Sequence, residues 1–100
     1  APLGTLTLGP GEEAASIAWR KTAGAGFALD LKAGASPVTV AIEPRDVRLE
    51  NTAEALALDP RAADTILGTV TGDQPSVRVT LTWADGRSAS REIPLAAVRR

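Results

Sequence analysis

The chain has 100 residues, 44% of them hydrophobic and only three aromatic, which predicts one domain with a small aliphatic core. Eleven Lys and Arg nearly balance twelve Asp and Glu, for a net charge of −1, and no basic cluster is long enough to follow a phosphate backbone, which argues against nucleic acid. His, Cys, Met and Tyr are absent, and because most acid–base, nucleophilic and thiolate–metal chemistry near neutral pH uses side chains from this group, the composition argues against an enzyme.

The first half of the chain predicts four strands, because its apolar residues recur at alternate positions between turn residues. The four predicted strands are residues 4–8, 15–19, 27–31 and 38–42. Gly24, Ala25 and Gly26 predict a hairpin turn between the second and the third strand. Residues 43–46, which contain Pro44, predict a turn after the fourth strand.

The middle of the chain predicts two short strands on either side of an ambiguous segment. The strands are residues 47–49 and 65–70. Residues 51–58 are rich in Ala and Leu, which favours a short helix, but we interpret the segment as extended through Leu56 and Leu58. Asp59 and Pro60 then have the residue types of a helix N-cap and first helical position, which predicts one helical turn over residues 61–63.

The last third of the chain predicts a β-hairpin. Residues 77–83 alternate strictly, with Val77, Val79, Leu81 and Trp83 on the side that would face the core. The dipeptide Asp85-Gly86 follows, and this pair is favoured in type I′ turns, where both central residues need positive φ. Ala89, Arg91 and Ile93 form one face of the returning strand, and Pro94 marks an edge or an end because it lacks a backbone donor.

About eight short strands separated by frequent turns predict an all-β fold, with a single domain over residues 1–100. The favoured architecture is an immunoglobulin-like sandwich of antiparallel strands. A partly open barrel of the oligonucleotide-binding (OB) type is the alternative.

We assign no residue a catalytic role. Without His or Tyr, a Ser nucleophile would need Lys21 or Lys32 as its base, and neither lysine lies in a recognisable motif. Every acidic residue falls in a predicted turn or on a polar strand face, which gives no pattern of a paired-carboxylate hydrolase. Loop carboxylates can bind calcium, but those of this chain lack EF-hand spacing: Asp59, Asp64, Asp73 and Asp85. We therefore predict no catalytic residue, no metal site and no cofactor.

Two groups of side chains have both a binding and a structural interpretation. Trp19 and Trp83 would be interface anchors if exposed, but both fall on the apolar phase of their strands, so we predict that they pack in the core. Arg45 and Arg48 follow Pro44 and could hold an oxyanion by charge-assisted hydrogen bonds. The alternative is that these arginines are solvated and pair with neighbouring carboxylates.

Three segments between residues 38 and 93 resemble a known family. They are residues 38–49, which read VTVAIEPRDVRL, residues 66–72, which read ILGTVTG, and residues 77–83 with the Asp85-Gly86 turn after them. Together they resemble the TOBE-type domains, OB-like barrels that are appended to transporter ATPases and occur in molybdate-binding proteins. The resemblance implies a small oxyanion as ligand, with Arg45, Arg48 and Thr69 as its binding residues.

The favoured functional interpretation is a non-enzymatic interaction or structural module that packs into a larger assembly, such as a surface coat, a virion or a multidomain protein. Its partners are then other protein subunits, including further copies of the chain. Residues 3–8 form a segment that could add as a strand to a neighbour. No apolar run approaches the roughly 20 residues that a membrane-spanning helix needs, so no membrane insertion is expected. The alternative is the TOBE-like, transporter-associated domain, which alone would bind an oxyanion.

Overall fold

Nine β-strands and two short 3-10 turns make up most of the computed structural model, which describes residues 3–9, 11–50 and 55–99. The strands, numbered in chain order, are β1 (Gly4–Leu8), β2 (Ala15–Lys21), β3 (Gly26–Lys32), β4 (Val38–Arg45), β5 (Val47–Leu49), β6 (Ala55–Leu58), β7 (Ala63–Val70), β8 (Ser76–Trp83) and β9 (Ser88–Pro94). The two 3-10 turns span Gly11–Glu13 and Ala96–Arg99.

The strands form two antiparallel sheets that pack face to face. The large sheet has the order β1-β2-β3-β7-β5 and the small sheet has the order β6-β4-β8-β9. Every pair of neighbouring strands is antiparallel, and no ladder joins one sheet to the other in the described residues. The predicted all-β sandwich is therefore confirmed, and the partly open barrel is not the arrangement observed.

The order of the strands follows the immunoglobulin pattern. In that pattern one sheet has the order A-B-E-D and the other contains C-F-G. Strands β2, β3, β7 and β5 occupy the first set of positions, and β4, β8 and β9 occupy the second. Strand β6 extends the small sheet beside β4, and β1 extends the large sheet beside β2. The strand β1 is thus an addition at the outer edge of the large sheet.

The core lies between the sheets and is built from the alternating residues that the sequence places inward. In β8, the side chains of Val77, Val79, Leu81 and Trp83 are all buried, as predicted. Phe27 is fully buried in β3. Apolar side chains from both sheets and from the second 3-10 turn complete one contiguous cluster. Because this cluster is mostly aliphatic, its stability depends on many small contacts rather than on stacked rings.

The β8–β9 hairpin exists, but its turn differs from the predicted one. The Gly86 amide donates to the Trp83 carbonyl at 3.0 Å, so Ala84 and Asp85 are the central residues of the turn. Gly86 follows with a φ of 93°, whereas Asp85 has no positive φ. The connection is therefore a three-residue loop with glycine in the left-handed position, and the type I′ prediction is wrong. Thr82 pairs with Ser88, and the Trp83 amide donates to the Arg87 carbonyl at 2.9 Å. Residues 84–86 therefore form the loop, which is one residue longer than that of a type I′ hairpin.

The predicted helical turn over residues 61–63 is also wrong. The Ala62 amide donates to the Asp59 carbonyl at 2.9 Å, and Arg61 has a φ of 60°. Pro60 and Arg61 thus occupy the centre of a tight turn with a left-handed third residue, and strand β7 begins directly at Ala63. The extended interpretation of Leu56 and Leu58 is confirmed by β6, while residues 51–54 of the alternative helix lie outside the described residues.

The predicted turn at residues 43–46 is confined to Asp46. Strand β4 continues through Pro44 to Arg45, and Pro44 lies opposite Val77 of β8. Within the described residues β6 pairs only with residues 38–41, so no described strand on that side needs a donor from Pro44. Asp46, with a φ of 54°, then turns the chain from the small sheet into β5 of the large sheet.

Candidate functional site

Each sheet ends in two strands that have a hydrogen-bonding neighbour on one side only in the described residues. They are β1 and β5 in the large sheet and β6 and β9 in the small sheet. The free side of such a strand presents backbone donors and acceptors that can pair with a strand of another chain. Proteins normally block these edges with charges, prolines or very short strands. The four edges of this molecule differ in whether they are blocked.

Three of the edges carry features that oppose pairing. In β9, Arg91 has the same strand phase as the buried Ile93 yet is exposed, which places a charge on the inward phase of the edge, and Pro94 ends the strand. Strand β5 has three residues, with the exposed Arg48 in the middle. Strand β6 has only four residues in the described part of the chain.

Strand β1 is the longest edge without a charge or a proline. Its five residues, Gly4–Leu8, alternate between exposed Thr5 and Thr7 and inward Leu6 and Leu8. Its inner side is paired with β2 in the register Leu6↔Ile17. The segment predicted to add as a strand to a neighbour is thus held in an extended conformation by β2, with its other side open within the described part of the chain.

Trp19 lies against this edge. A Cβ atom added at Gly4 would come within 2.4 Å of the Trp19 ring, so the indole packs directly on the glycine backbone. Trp19 is half-buried and packs against the edge of the core, whereas Trp83 is only 4% exposed. The predicted core position is therefore confirmed for Trp83, while Trp19 is a partly exposed ring beside β1.

The outward face of the small sheet carries short polar side chains in cross-strand rows. The rows are Thr39-Thr82-Ser88 and Ala41-Thr80-Ser90. The hydroxyls of Thr80 and Ser90 are 2.8 Å apart and share a hydrogen bond. These residues give a flat surface, with no side chain long enough to close over a ligand.

Next to these rows lies a charged groove of about 310 Å³. Arg78 pairs in register with Glu43 on one side and Glu92 on the other, and Ser76 donates a hydrogen bond to Glu92 at 3.0 Å. The groove is lined by Glu43, Pro44, Arg45, Ser76, Arg78 and Glu92. Because its two guanidinium groups stand beside two carboxylates, its charges nearly balance.

The residues suggested for an oxyanion site are divided between the two sheets. Arg48 and Thr69 are direct register partners of β5 and β7, and their strand phase places both on the outward face of the large sheet. Arg45 lies at the end of β4 and lines the charged groove of the small sheet. The structure thus brings Arg48 and Thr69 together and places Arg45 beside Arg78 instead. The sequence did not indicate that Arg78 lies near Arg45. Their proximity follows from the pairing of β4 with β8.

Asp46, between the two arginines, organises the crossing of the chain. Its carbonyl accepts hydrogen bonds from the amides of Thr71 and Gly72, at 2.8 and 3.0 Å, and its carboxylate accepts one from Gln74 at 3.1 Å. A Cβ atom at Gly72 would come within 2.3 Å of the Asp46 side chain. This carboxylate is therefore used to join two loops, which is a structural role.

A cluster of charged residues joins the loops at the opposite end of the sandwich. Arg87 forms ion pairs with Glu13 and with Asp85, the latter at 2.5 Å. The Glu13 carboxylate also accepts a hydrogen bond from Ser36 at 3.2 Å. The backbone amide of Arg87, followed by its guanidinium, holds the pKa of Asp85 below its ordinary value, and the bond to Glu13 raises the pKa of Arg87. All of these groups are partnered, with Arg87 and Asp85 exposed and Glu13 and Ser36 half-buried, so they hold loops together rather than offer a reactive group.

A third ion pair lies on the outward face of the large sheet. Asp30 accepts a hydrogen bond from the Thr65 hydroxyl at 2.8 Å and one from Arg20 at 3.1 Å. The bond from Thr65, together with Arg20, lowers the pKa of Asp30 although partial burial opposes the shift. The carboxylate is thus held ionised and acts as a cross-strand link between β2, β3 and β7.

The described residues contain no group of three or more acidic side chains arranged to hold a metal ion. Of the aspartates considered for calcium, Asp85 binds Arg87, and Asp64 accepts a hydrogen bond from the Thr65 amide at 2.8 Å. None of the helical segments that the structure describes has the length and hydrophobicity to span a lipid bilayer.

Comparison with known proteins finds no matching family model, no similar curated protein and no similar solved structure. The functional argument therefore depends on the geometry of the molecule.

Proposed function

We propose that the chain is a non-enzymatic protein–protein interaction module that packs into a larger assembly by accepting a strand at the free edge of β1. The observation that carries the proposal is the contrast between β1 and the other edges. Strand β1 presents five residues of regular extended backbone with no charge and no proline, whereas β9 carries Arg91 and Pro94. An added strand would receive its affinity from main-chain hydrogen bonds and its register from the alternation of side chains.

The surroundings of β1 support this proposal. Thr5 and Thr7 are short and exposed, so few side-chain rotamers are lost when a partner strand covers them. On the outward face, the cross-strand row of Thr5 meets Ala18 and that of Thr7 meets Ser16. The charge on this face of β2 is Arg20, which is paired with Asp30 of β3. A strand added along Thr5 and Thr7 would therefore meet uncharged side chains in both rows of β2. The partly exposed indole of Trp19 provides an apolar contact at the Gly4 end.

A backbone NMR titration with a synthetic strand tests the proposal. The probe is a heptapeptide of alternating Thr and Val, added to dilute 15N-labelled chain, and we expect shift changes in residues 4–8 and in the Trp19 indole. A T5K/T7K chain should bind the peptide more weakly, because edge lysines oppose strand addition. A matched S88K/S90K chain changes two exposed residues of edge strand β9 and should bind like the original. Shifts centred on β6 or β9, or none at all, would contradict the assignment of β1.

A second candidate function is the binding of a small oxyanion, which the TOBE-type resemblance implies. The observation in its favour is that Arg45 and Arg78 line one groove. Molybdate, tungstate and sulfate are the probes, and a ligand present at about 100 times its Kd should stabilise the folded chain by about 2.7 kcal/mol in a thermal melt. Loss of that stabilisation in an R45Q/R78Q chain, but not in an R48Q chain, would assign the groove. An unchanged melting temperature with all three anions would eliminate this candidate.

A further inference from the structure

We propose that the strand received by β1 is the β1 of a second copy of this chain, paired antiparallel about a two-fold axis at Leu6. The inference rests on the proposed function and names its partner. It joins two large sheets into one continuous sheet of ten strands.

The sequence of β1 is suited to pairing with itself. A two-fold axis at Leu6 places Leu6 opposite its own copy, and places Thr5 opposite Thr7 of the second copy on both sides. Threonines that face each other across antiparallel strands form favourable pairs, and the leucines stay on the inward side. A closed two-fold contact of this kind uses the same patch twice and stops at the dimer. A register shifted by one residue would turn Leu6 outward, which disfavours it.

The charges and the ring at the edge fit the same arrangement. The row of Thr5 leads to Asp30, which is paired with Arg20, and the row of Thr7 leads to Lys32. No like charges are brought together along those rows. Gly4 comes opposite Leu8 of the second copy on the inward side, where the Trp19 ring covers the glycine. The Trp19 indole of one copy thus occupies the space beside Gly4 and can contact Leu8 of the other copy.

Two other edges in the described residues, β9 and β5, do not offer an equivalent contact. A β9 pair would bring the inward-phase Arg91 of both copies into the joint, and β5 is limited to three residues around Arg48. The five residues of β1 alone make a small interface, so we expect a monomer–dimer equilibrium rather than a permanent dimer.

Sedimentation velocity measures the equilibrium, from about 10 µM to about 1 mM, the range in which small interfaces associate. We expect the mass of the original chain to rise toward twice the monomer mass and the fluorescence of Trp19 to shift to shorter wavelength. The T5K/T7K chain places lysines opposite each other and should associate about tenfold more weakly. The T5E/T7E chain should do the same, and an equimolar mixture of the two variants should associate again because every facing pair is then of opposite charge. The S88K/S90K chain is the matched control and should associate like the original.

The outcomes separate this inference from the proposed function. Dimers that persist in T5K/T7K and are lost in S88K/S90K would overturn the inference. A chain that stays monomeric at all concentrations but binds the Thr-Val peptide at β1 would also overturn it, and would leave the strand-accepting function in place. A monomer that does not bind the peptide would overturn both. Recovery of association only in the mixture of lysine and glutamate variants would establish that the two copies meet along β1.

Discussion

Replacement of Trp83 by alanine tests the packing on which the sandwich depends. The ring is 4% exposed, its Nε1 donates to the Glu13 carbonyl at 3.0 Å, and it packs on Gly9, where an added Cβ would lie 2.6 Å from the ring. Loss of a buried tryptophan costs about 3–5 kcal/mol, and the orphaned carbonyl adds about 1 kcal/mol. Since a domain of this kind has a total stability of about 5–15 kcal/mol, the variant should be close to unfolding.

Urea unfolding followed by far-UV circular dichroism measures this loss, because tryptophan fluorescence would report only Trp19 in the variant. Trp83→Phe keeps an aromatic ring but removes the donor, so its loss should be intermediate. Thr82→Ala, at the neighbouring exposed position of the same strand, is the control and should change the unfolding free energy by less than about 0.5 kcal/mol. A loss below about 1 kcal/mol for Trp83→Ala, at an unchanged slope against urea, would refute the reasoning.

Three further predictions concern one carboxylate and two backbone positions. The folded-state pKa of Asp30 is lowered, so its contribution to stability is present above about pH 4, its ordinary pKa range, and is lost as the pH falls through the folded pKa. Asp30→Asn should therefore cost less than about 1 kcal/mol at pH 7 in urea titrations, and progressively less as the pH is lowered below that range. Gly34→Ala should cost about 1–3 kcal/mol in the same assay, since its Cβ would lie 2.5 Å from the carbonyl oxygens of residues 12 and 14, and a loss below about 0.5 kcal/mol would contradict this. Arg61→Gly should raise stability by about 0.5–1 kcal/mol, because the native φ of 60° strains a residue with a side chain. A lower melting temperature would show that the contacts of the arginine side chain stabilise the fold by more than the relief of this backbone strain.

The strands were predictable from sequence where alternation is local and complete. Strand β8 shows this best, because each of its inward apolar residues is buried and each step outward is polar. The predictions from sequence fail where pairing between distant parts of the chain determines the local structure. Asp85-Gly86 suits two kinds of hairpin loop, and the register of β8 with β9 selects the three-residue one. Pro44 reads as a strand end, yet β4 continues through it, and in the described residues β6 pairs only with residues 38–41.

The candidate site was predictable in part, for the same reason. Residues 3–8 read as a strand able to join a neighbour, but only the sheet order shows that β2 holds one side of it and leaves the other open. Nothing in the sequence around Gly4 indicated that the Trp19 indole packs on it. Arg45 and Arg48 are three residues apart in sequence, and the turn at Asp46 sends them to different sheets. Spacing along a chain does not determine convergence when a sandwich crossing lies between the residues.

A binding site made of a strand edge would need no reactive side chain. The groups that an edge offers are backbone N–H and C=O, which every residue except proline carries, so composition cannot show them. Side chains can only permit or oppose their use, and in this molecule they oppose it at β9 through Arg91 and permit it at β1 through threonine and leucine. The evidence for a binding edge in such a chain is therefore the contrast between an edge strand without charges, β1, and one with charges, β9. The T5K/T7K variant tests this contrast because it adds charges to β1.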